Sequence, residues 1–110
     1  MQAIFYSRNG KAQDVLTLDE CDTPAPSEGE VRVRVHTSGV NPSDVKSRAG
    51  RPPAFERIIP HSDGAGVIDA VGAGVDPRRV GERVWIWNGQ WQRAMGTCAQ
   101  YIVVPAEQAV

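Results

Sequence analysis

The sequence of 110 residues lacks three features that would assign a function class at once. It has only two cysteines, Cys21 and Cys98, far apart and outside any CxxC motif, so a disulfide scaffold is not supported. Its 12 basic and 13 acidic residues nearly cancel, which leaves no basic field for a nucleic-acid backbone. No apolar run approaches the roughly 18 residues of a membrane span, and the first residues do not resemble a signal peptide. We therefore expect a cytoplasmic protein without a nucleic-acid or membrane partner.

The chain is long enough for one domain and too short for two. A chain of this size buries roughly two thirds of its surface and can form a core without disulfides or a metal. A dinucleotide-binding fold of two βαβαβ halves alone needs more than about 120 residues. An activity that requires both such a fold and a substrate domain would have to obtain one of them from elsewhere.

Eleven glycines and eight prolines predict short elements joined by tight turns, as in an all-β domain. The clearest strand pattern is the alternation of Val31, Val33 and Val35 with polar residues. Asn9-Gly10 predicts a hairpin between the first two strands. Strands are predicted at residues 3–7, 14–20, 30–37, 66–71, 83–87 and 100–104. The expected fold is a small β-barrel with one or two short helices.

A short helix is predicted after the clearest strand. Asn41 would be its N-cap, Pro42 suits the first helical position, and Asp44 is favoured near the positive helix end. The helix would reach at most Arg48, so Asp44 and Arg48 are predicted to form a local ion pair. Lys46 would point either to solvent or into a cleft, and the pattern alone favours solvent.

Two glycine pairs, in Gly64-Ala65-Gly66 and Gly72-Ala73-Gly74, invite comparison with a dinucleotide-binding loop. That motif needs a third glycine and a following amphipathic helix, whereas the third positions here are Asp69 and Pro77. We expect tight turns and close backbone contacts at these glycines instead.

A metal site can be assembled on paper from Cys21, His36, His61 and Cys98, but none of them has the paired spacing of a zinc site. His36 also falls on the polar face of its predicted strand. The adjacent residues His61-Ser62-Asp63 are a poor catalytic triad, because triad residues are usually spread along a chain. We predict neither a metal site nor a hydrolase.

Three tryptophans lie close together in the sequence. Trp85 and Trp87 would share one side of a strand, with Trp91 beyond the Asn88-Gly89 turn. The default expectation is a hydrophobic cluster. The alternatives are an aromatic wall of a pocket for a flat ligand, or a surface that docks another domain.

Four stretches together carry a family resemblance: SGVNPSDVKSRAG (38–50), IPHSDGAGVIDAVGAGV (59–75), VGERVWIWNGQW (80–91) and GTCAQYIVVPA (96–106). In them the chain resembles the N-terminal, GroES-like domain of medium-chain dehydrogenases/reductases. The particular similarity is to the zinc-independent, zeta-crystallin-like quinone oxidoreductase branch. The resemblance implies a GroES-like, partly open β-barrel over residues 1–110, with the nucleotide-binding Rossmann domain absent from this chain.

The resemblance also bears on the metal question. Zinc-dependent members carry a cysteine where Asn41 stands and a His-Glu pair where Ser62 and Asp63 stand. An amide and a hydroxyl are poor replacements for a thiolate and an imidazole as zinc ligands. The resemblance therefore implies a site without catalytic zinc.

What the resemblance implies is hydride transfer from NADPH to a small-molecule quinone or enone, in a cleft between the barrel and the Rossmann domain. Asn41 matches an asparagine that reaches the nicotinamide ribose or the substrate. Lys46 matches a cleft position, where its charge would stabilise an enolate oxygen, and this reverses the preference for solvent.

The remaining candidate residues are expected to line or support that cleft. Asp44 and Arg48 would brace the helical turn, Asp63 would have a structural polar role, and Trp87 and Trp91 belong to the same region. His61 replaces a small residue of the family, and its role is left open. The alternative function is a free-standing β-barrel for binding or assembly, which would form a defined homo-oligomer.

Overall fold

The computed structural model describes residues 1–110 and is mainly β. Its strands are β1 (Gln2–Phe5), β2 (Thr17–Glu20), β3 (Glu30–Gly39), β4 (Asp63–Val71), β5 (Arg83–Ile86) and β6 (Tyr101–Pro105). Its helices are α1 (Ala12–Val15) and α2 (Pro42–Gly50), with 3-10 turns at Pro77–Arg79 and Ala106–Gln108. None of these helices has the length and apolar composition that crossing a membrane requires.

The strands form two antiparallel sheets. β1 pairs with β2, and the larger sheet has the order β5-β4-β3-β6. Isolated bridges such as Ala3 to Ala99 and Tyr6 to Ile58 join the smaller sheet to loops of the rest of the molecule. The sheets do not close into a complete barrel. The predicted fold, a partly open GroES-like β-barrel with short helices, is confirmed.

The main core lies against one face of the larger sheet. Val31 and Val33 of β3 are fully buried there with Ile68, Ile102 and Val104 of the neighbouring strands. Burying an aliphatic side chain of this size contributes about 1.5–3 kcal/mol. The predicted alternation in β3 is therefore confirmed. The strand continues two residues further than predicted because Ser38 and Gly39 still pair with β4.

The predicted N-terminal hairpin is only partly right. β1 and β2 do pair, with Gln2 opposite Glu20. Their connection, however, contains the helical turn α1, which buries Val15 against Tyr6 and Ile58. Asn9 does not form a two-residue turn. Its side-chain amide instead donates hydrogen bonds to three carbonyl oxygens at the end of α2, those of Ser47, Arg48 and Arg51.

Replacing Asn9 by alanine should destabilise the protein by about 1–2 kcal/mol, because the Arg51 carbonyl loses its donor and the link between the end of α2 and the first connection is lost. The Ser47 and Arg48 carbonyls keep a backbone donor. Urea unfolding measures this loss. Asn9→Asp should be at least as destabilising, since a carboxylate cannot donate and is unfavourable at a helix C-terminus. Gln13→Ala, at an exposed position of α1, is the control and should change stability little. An Asn9→Ala variant as stable as this control would contradict the assigned role.

The predicted Asp44–Arg48 ion pair is wrong. None of the four ion pairs in the structure joins these residues. The Asp44 carboxylate turns back to accept the backbone N–H of Asn41 at 2.7 Å, while Arg48 Nε donates to the carbonyl of Gly10 at 3.3 Å. Both side chains therefore fix the two ends of α2 to the chain around them.

The expected tryptophan cluster is also wrong. Val84 and Ile86 occupy the buried side of β5, so Trp85 and Trp87 fall on the opposite side and are 55% and 39% exposed. Trp91 is 63% exposed and lies in the following loop. The side chains that β5 contributes to the core are aliphatic, and the indole rings lie exposed at the surface.

The glycine pairs are only partly as predicted. Gly64 and Gly66 make close backbone contacts but lie within β4, not in a tight turn, and neither pair is followed by an amphipathic helix. A Cβ atom at Gly72 would overlap the carbonyl oxygen of Ser27, so the backbone approach there requires glycine. These residues serve close packing, and a dinucleotide-binding loop is not formed.

Candidate functional site

The start of α2 fixes the orientation of Asn41. Asn41 stands at the N-cap in an extended conformation, as predicted, and Pro42 follows it. Asp44 accepts the backbone N–H of Asn41 through its carboxylate. The Asn41 side-chain Nδ2 then donates to Asp63 Oδ2 at 2.7 Å. The amide is thereby held between the helix and the beginning of β4.

A chain of hydrogen bonds continues from Asp63. Thr97 Oγ1 donates to the Asp63 carbonyl oxygen at 2.8 Å and lies 2.9 Å from Ser38 Oγ. Ser38 Oγ lies 2.8 Å from His61 Nδ1. We call Ser38, Asn41, His61, Asp63 and Thr97 the polar cluster. It joins the end of β3, the start of α2, the start of β4 and the loop before β6.

His61 has an unusual backbone conformation within this cluster. Its φ is 79°, in the left-handed region that residues other than glycine rarely adopt. The Thr97 N–H holds it there by donating to the His61 carbonyl at 2.8 Å, and Cys98 N–H donates to Pro60 in the same way at 3.1 Å. Such conformations persist where the surroundings impose them, and they occur disproportionately at functional sites.

Next to the polar cluster lies a cleft of about 380 Å³. One side is the face of α2 that carries Ser43, Asp44 and Ser47, and Ser62 extends this polar side. Phe55 and Trp91 also line the cleft, together with further polar residues that include Arg51 and Arg93. A volume in this range is typical of small-ligand sites, although this lining is more polar than most.

The structure separates the predicted site residues into three groups. Asp44 and Trp91 line the cleft. Asn41, His61 and Asp63 belong to the polar cluster beside it. The remaining three lie outside the cleft lining: Lys46, exposed on α2, Arg48, bonded to Gly10, and Trp87, exposed after β5.

Ser38 and Thr97 were missed as site residues by sequence reasoning. Each stands at the beginning of one of the four stretches that carry the family resemblance, which is the only signal that could have pointed to them. Their side chains meet across 59 positions of sequence. No local pattern encodes that contact.

The four residues considered for a metal site do not converge. No group of three or more His, Cys, Asp or Glu side chains is placed to hold a metal ion. Cys21 and Cys98 pack against the small core formed by Ala3, Phe5 and Ile59. Burial raises the pKa of the Cys98 thiol, and the Asp44 carboxylate raises it further, so this thiol stays neutral at physiological pH.

Residues 27–110 match the family described as the alcohol dehydrogenase GroES-like domain. This chain therefore belongs to that family, within the medium-chain dehydrogenase/reductase superfamily, as the sequence predicted.

Among curated proteins, the chain is similar to the synaptic vesicle membrane protein VAT-1 homolog of Rattus norvegicus, with 39% identity over 90 residues. That match covers 77% of this chain and 20% of the relative. A quinone oxidoreductase of Rattus norvegicus is 35% identical over 91 residues, which cover 80% of this chain and 27% of the relative. The chain thus spans about a quarter or less of the length of these relatives.

Solved structures give the same relationship. A mycobacterial protein complexed with NADPH superposes over 100% of this chain and 33% of its own, with a TM-score of 0.85 and 28% identity. A cobalt- and zinc-bound thermostable alcohol dehydrogenase from Pyrobaculum aerophilum superposes over 100% of this chain and 40% of its own, with a TM-score of 0.86 and 32% identity. A structure with bound NADPH and a structure with bound metal therefore share this fold.

Proposed function

We propose that this chain is the substrate-side domain of an NADPH-dependent oxidoreductase that reduces a quinone or an activated enone by hydride transfer. The observation that carries the proposal is the cleft itself, which Phe55 and Trp91 line together with hydroxyl groups of α2, the helix that Asn41 caps. The similarity to a quinone oxidoreductase and to a protein complexed with NADPH supports this chemistry.

Asn41 is the residue of this chain best placed to contact the cofactor or the substrate. One of its two Nδ2 hydrogens is donated to Asp63, which fixes the plane of the amide. The second Nδ2 hydrogen would donate to a ribose hydroxyl or a substrate carbonyl, in the orientation that the bond to Asp63 fixes.

The aromatic side chains of the cleft would orient the substrate ring. Phe55 and Trp91 offer flat apolar surface, and stacking of a quinone ring on such side chains is favourable beyond area burial alone. Ser43, Ser47 and Ser62 supply hydroxyl groups to the same cleft. This combination suits flat ligands that carry oxygen atoms at their edge.

The donor set beside the cleft fits NADPH better than zinc. An amide, a hydroxyl and one carboxylate stand at Asn41, Ser62 and Asp63, and Asp63 is already engaged by Asn41. Structural and catalytic zinc sites use thiolate and imidazole ligands in closer sets. We therefore propose zinc-independent chemistry, in which NADPH supplies the hydride.

The nicotinamide cofactor would be held mainly by a Rossmann domain that these 110 residues do not contain. Both glycine pairs of this chain belong to the sheet or to a turn, so neither forms a dinucleotide-binding loop. The second domain would close the cleft from the side of Asn41. The role that we predict for Lys46, stabilisation of an enolate oxygen, depends on how that domain meets α2 and stays a prediction.

The isolated 110-residue chain should not oxidise NADPH in the presence of a quinone, whereas a protein in which this chain continues into a Rossmann domain should. The loss of NADPH absorbance with a series of quinones and enones measures both. Rapid turnover by the isolated chain would contradict the need for a second domain. An inactive two-domain protein would contradict the proposed function.

The second candidate is a free-standing domain for binding or assembly. The observation that favours it is the exposed apolar pair Trp85 and Val110, which exchange backbone hydrogen bonds of 2.9 Å on β5 at the edge of the larger sheet. Sizing of the purified chain separates the two candidates, because a defined homo-oligomer supports assembly and a monomer supports a substrate domain.

A further inference from the structure

Tyr6 is the buried polar residue of the cleft. Among the residues that line the cleft, only Tyr6 and Ile58 are buried, and Ile58 has no polar side-chain atom. Tyr6 follows the end of β1, and its side chain packs against Ile58 and Val15. The residue is 4% exposed. Its ring is therefore fixed by packing before any ligand enters the cleft.

The hydroxyl group of Tyr6 has no hydrogen-bond partner in the chain. Both hydrogen bonds that Tyr6 makes, to and from Ile58, use backbone atoms. No fully buried side-chain oxygen or nitrogen lacks a hydrogen bond in this structure, so the unpaired oxygen of Tyr6 must reach the surface. Part of the small exposed surface of this residue therefore lies at its hydroxyl end.

The charges around the hydroxyl show which surface it reaches, because Tyr6 also borders a second depression beside α1. Burial raises the pKa of the Tyr6 hydroxyl, and the Asp44 carboxylate raises it further. The cations Arg48 and Arg51 lower the same pKa to a smaller extent. Asp44 and Arg51 line the cleft, whereas none of these three charged residues lines the second depression. The hydroxyl end of the ring therefore faces the cleft.

This hydroxyl is a neutral donor at physiological pH. Its pKa lies above the ordinary tyrosine value of about 10, so the oxygen keeps its proton. The Asp44 carboxylate does not take that proton in a hydrogen bond, since it accepts the backbone N–H of Asn41. A tyrosine hydroxyl that loses hydration without gaining a partner is costly compared with phenylalanine. A ligand oxygen in the cleft would supply the missing acceptor.

We propose that the Tyr6 hydroxyl is the hydrogen-bond donor that binds the carbonyl oxygen of the quinone or enone in the cleft. The inference rests on the proposed function. Phe55 and Trp91, which line the same cleft, would contact the ring of that substrate. The assignment leaves the Asn41 amide for the ribose hydroxyl of the cofactor.

The hydrogen bond from Tyr6 should strengthen during the reaction. When the substrate receives hydride, a new C–H bond forms and the displaced π electrons move to the carbonyl oxygen. A hydrogen bond to the negative oxygen is stronger than one to the neutral carbonyl. The oxygen then takes a proton from water, and no bond of Tyr6 breaks. Tyr6 is therefore expected to affect kcat as well as substrate affinity.

The first test uses the 110-residue chain. Tyr6→Phe removes only the hydroxyl oxygen and keeps the ring against Ile58 and Val15. Because that oxygen has no partner in the chain, the midpoint of urea unfolding should equal that of the wild type or lie slightly above it. A clear loss of stability would show that the hydroxyl serves the fold, and it would overturn the proposal.

The second test uses the protein that carries this chain together with a Rossmann domain, with duroquinone as the substrate. Tyr6→Phe should lower kcat/KM about 30-fold, with a rise in KM of about fivefold and the remainder in kcat. Tyr101→Phe is the matched control. Tyr101 is the other tyrosine of the chain, and its ring lies beside the Arg32 guanidinium and outside the cleft lining. This variant should keep the wild-type kcat and KM.

The outcomes separate the inference from the function on which it rests. If the wild type reduces duroquinone and Tyr6→Phe does so with the same kcat and KM, the role of Tyr6 alone is overturned. An equal loss in Tyr101→Phe would also overturn it, since the effect would not depend on the cleft. A wild-type two-domain protein that reduces no quinone or enone would overturn the proposed function and this inference together. Loss in Tyr6→Phe alone, at unchanged stability, supports the proposal.

Discussion

Replacing Gly96 by alanine should destabilise the protein by about 3 kcal/mol, at the upper end of what overpacking usually costs. Gly96 is buried at the edge of the polar cluster, and its N–H donates to the Ile59 carbonyl at 2.8 Å. A Cβ atom there would overlap the carbonyl oxygens of His61 and Pro60 and lie 2.6 Å from that of Ile59. These atoms are backbone, so they cannot rotate away as a flexible side chain would.

The midpoint of urea unfolding measures this effect, since about 3 kcal/mol is a large part of the stability of a domain of this size. Gly50→Ala is the matched control. Gly50 ends α2 without a positive φ, and nothing lies within 4 Å of the position a Cβ would take, so that variant should be as stable as the wild type or slightly more so. Equal stability of the two variants would contradict the packing described around Gly96.

The Gly96 substitution should also disturb His61. The carbonyl that it would displace belongs to His61, and Thr97 N–H holds the same atom. The backbone at His61 and Thr97 should therefore move in Gly96→Ala, and the amide NMR chemical shifts of these two residues detect that change.

Replacing Asn41 by aspartate should lower the free energy of unfolding by about 1–2 kcal/mol at neutral pH. This figure allows for solvent screening at a partly exposed site. The substitution keeps the shape of the side chain but exchanges the donated N–H for a second carboxylate, 2.7 Å from Asp63 Oδ2. The carboxylate of Asp44 lies on the other side, bonded to the Asn41 backbone N–H. Three negative charges would then meet at the start of α2.

The loss of stability in Asn41→Asp should depend on pH, and the direction follows from the charges. Crowding by like charges raises the pKa of the new carboxyl at position 41 in the folded state above the ordinary value of about 3.9. The folded state then binds this proton more tightly than the unfolded chain does. The variant should therefore approach wild-type stability below pH 4, where a proton shared between residues 41 and 63 restores the hydrogen bond. This gain in stability should disappear as the pH rises through the raised pKa.

Asn41→Ser is the control for charge. Serine retains an N-cap side chain and removes the amide donor without adding a charge. Its stability relative to wild type should be the same at pH 4 and pH 7. If Asn41→Asp showed an equally constant difference across this range, the contact between residues 41 and 63 would not have the geometry described.

Local sequence patterns predicted the elements whose stabilisation is local. The alternation of valines in β3 identified its buried face, because successive side chains of a strand point to opposite sides. Asn41-Pro42 identified the start of α2, because an N-cap and a proline at the first turn act within a few residues. The order of the four family stretches predicted the partly open barrel, which the structure confirms.

Predictions failed where a distant group competed for the same side chain. Asn9 was expected in a tight turn, but three carbonyls at the end of α2 use its amide. Arg48 was expected to pair with Asp44, but each side chain found a backbone partner nearer to its own end of the helix. Trp85 was expected in a cluster, but Val84 and Ile86 filled the buried side of β5.

The sequence by itself determined the family, the faces of the principal strands and the position of Asn41 at the head of a helix. Only the tertiary structure decided that Ser38, His61 and Thr97 form one hydrogen-bonded chain. These contacts join residues 23 and 59 positions apart. They depend on the register of β3 against β4 and on the close approach at Gly96, which are set by packing of the whole domain.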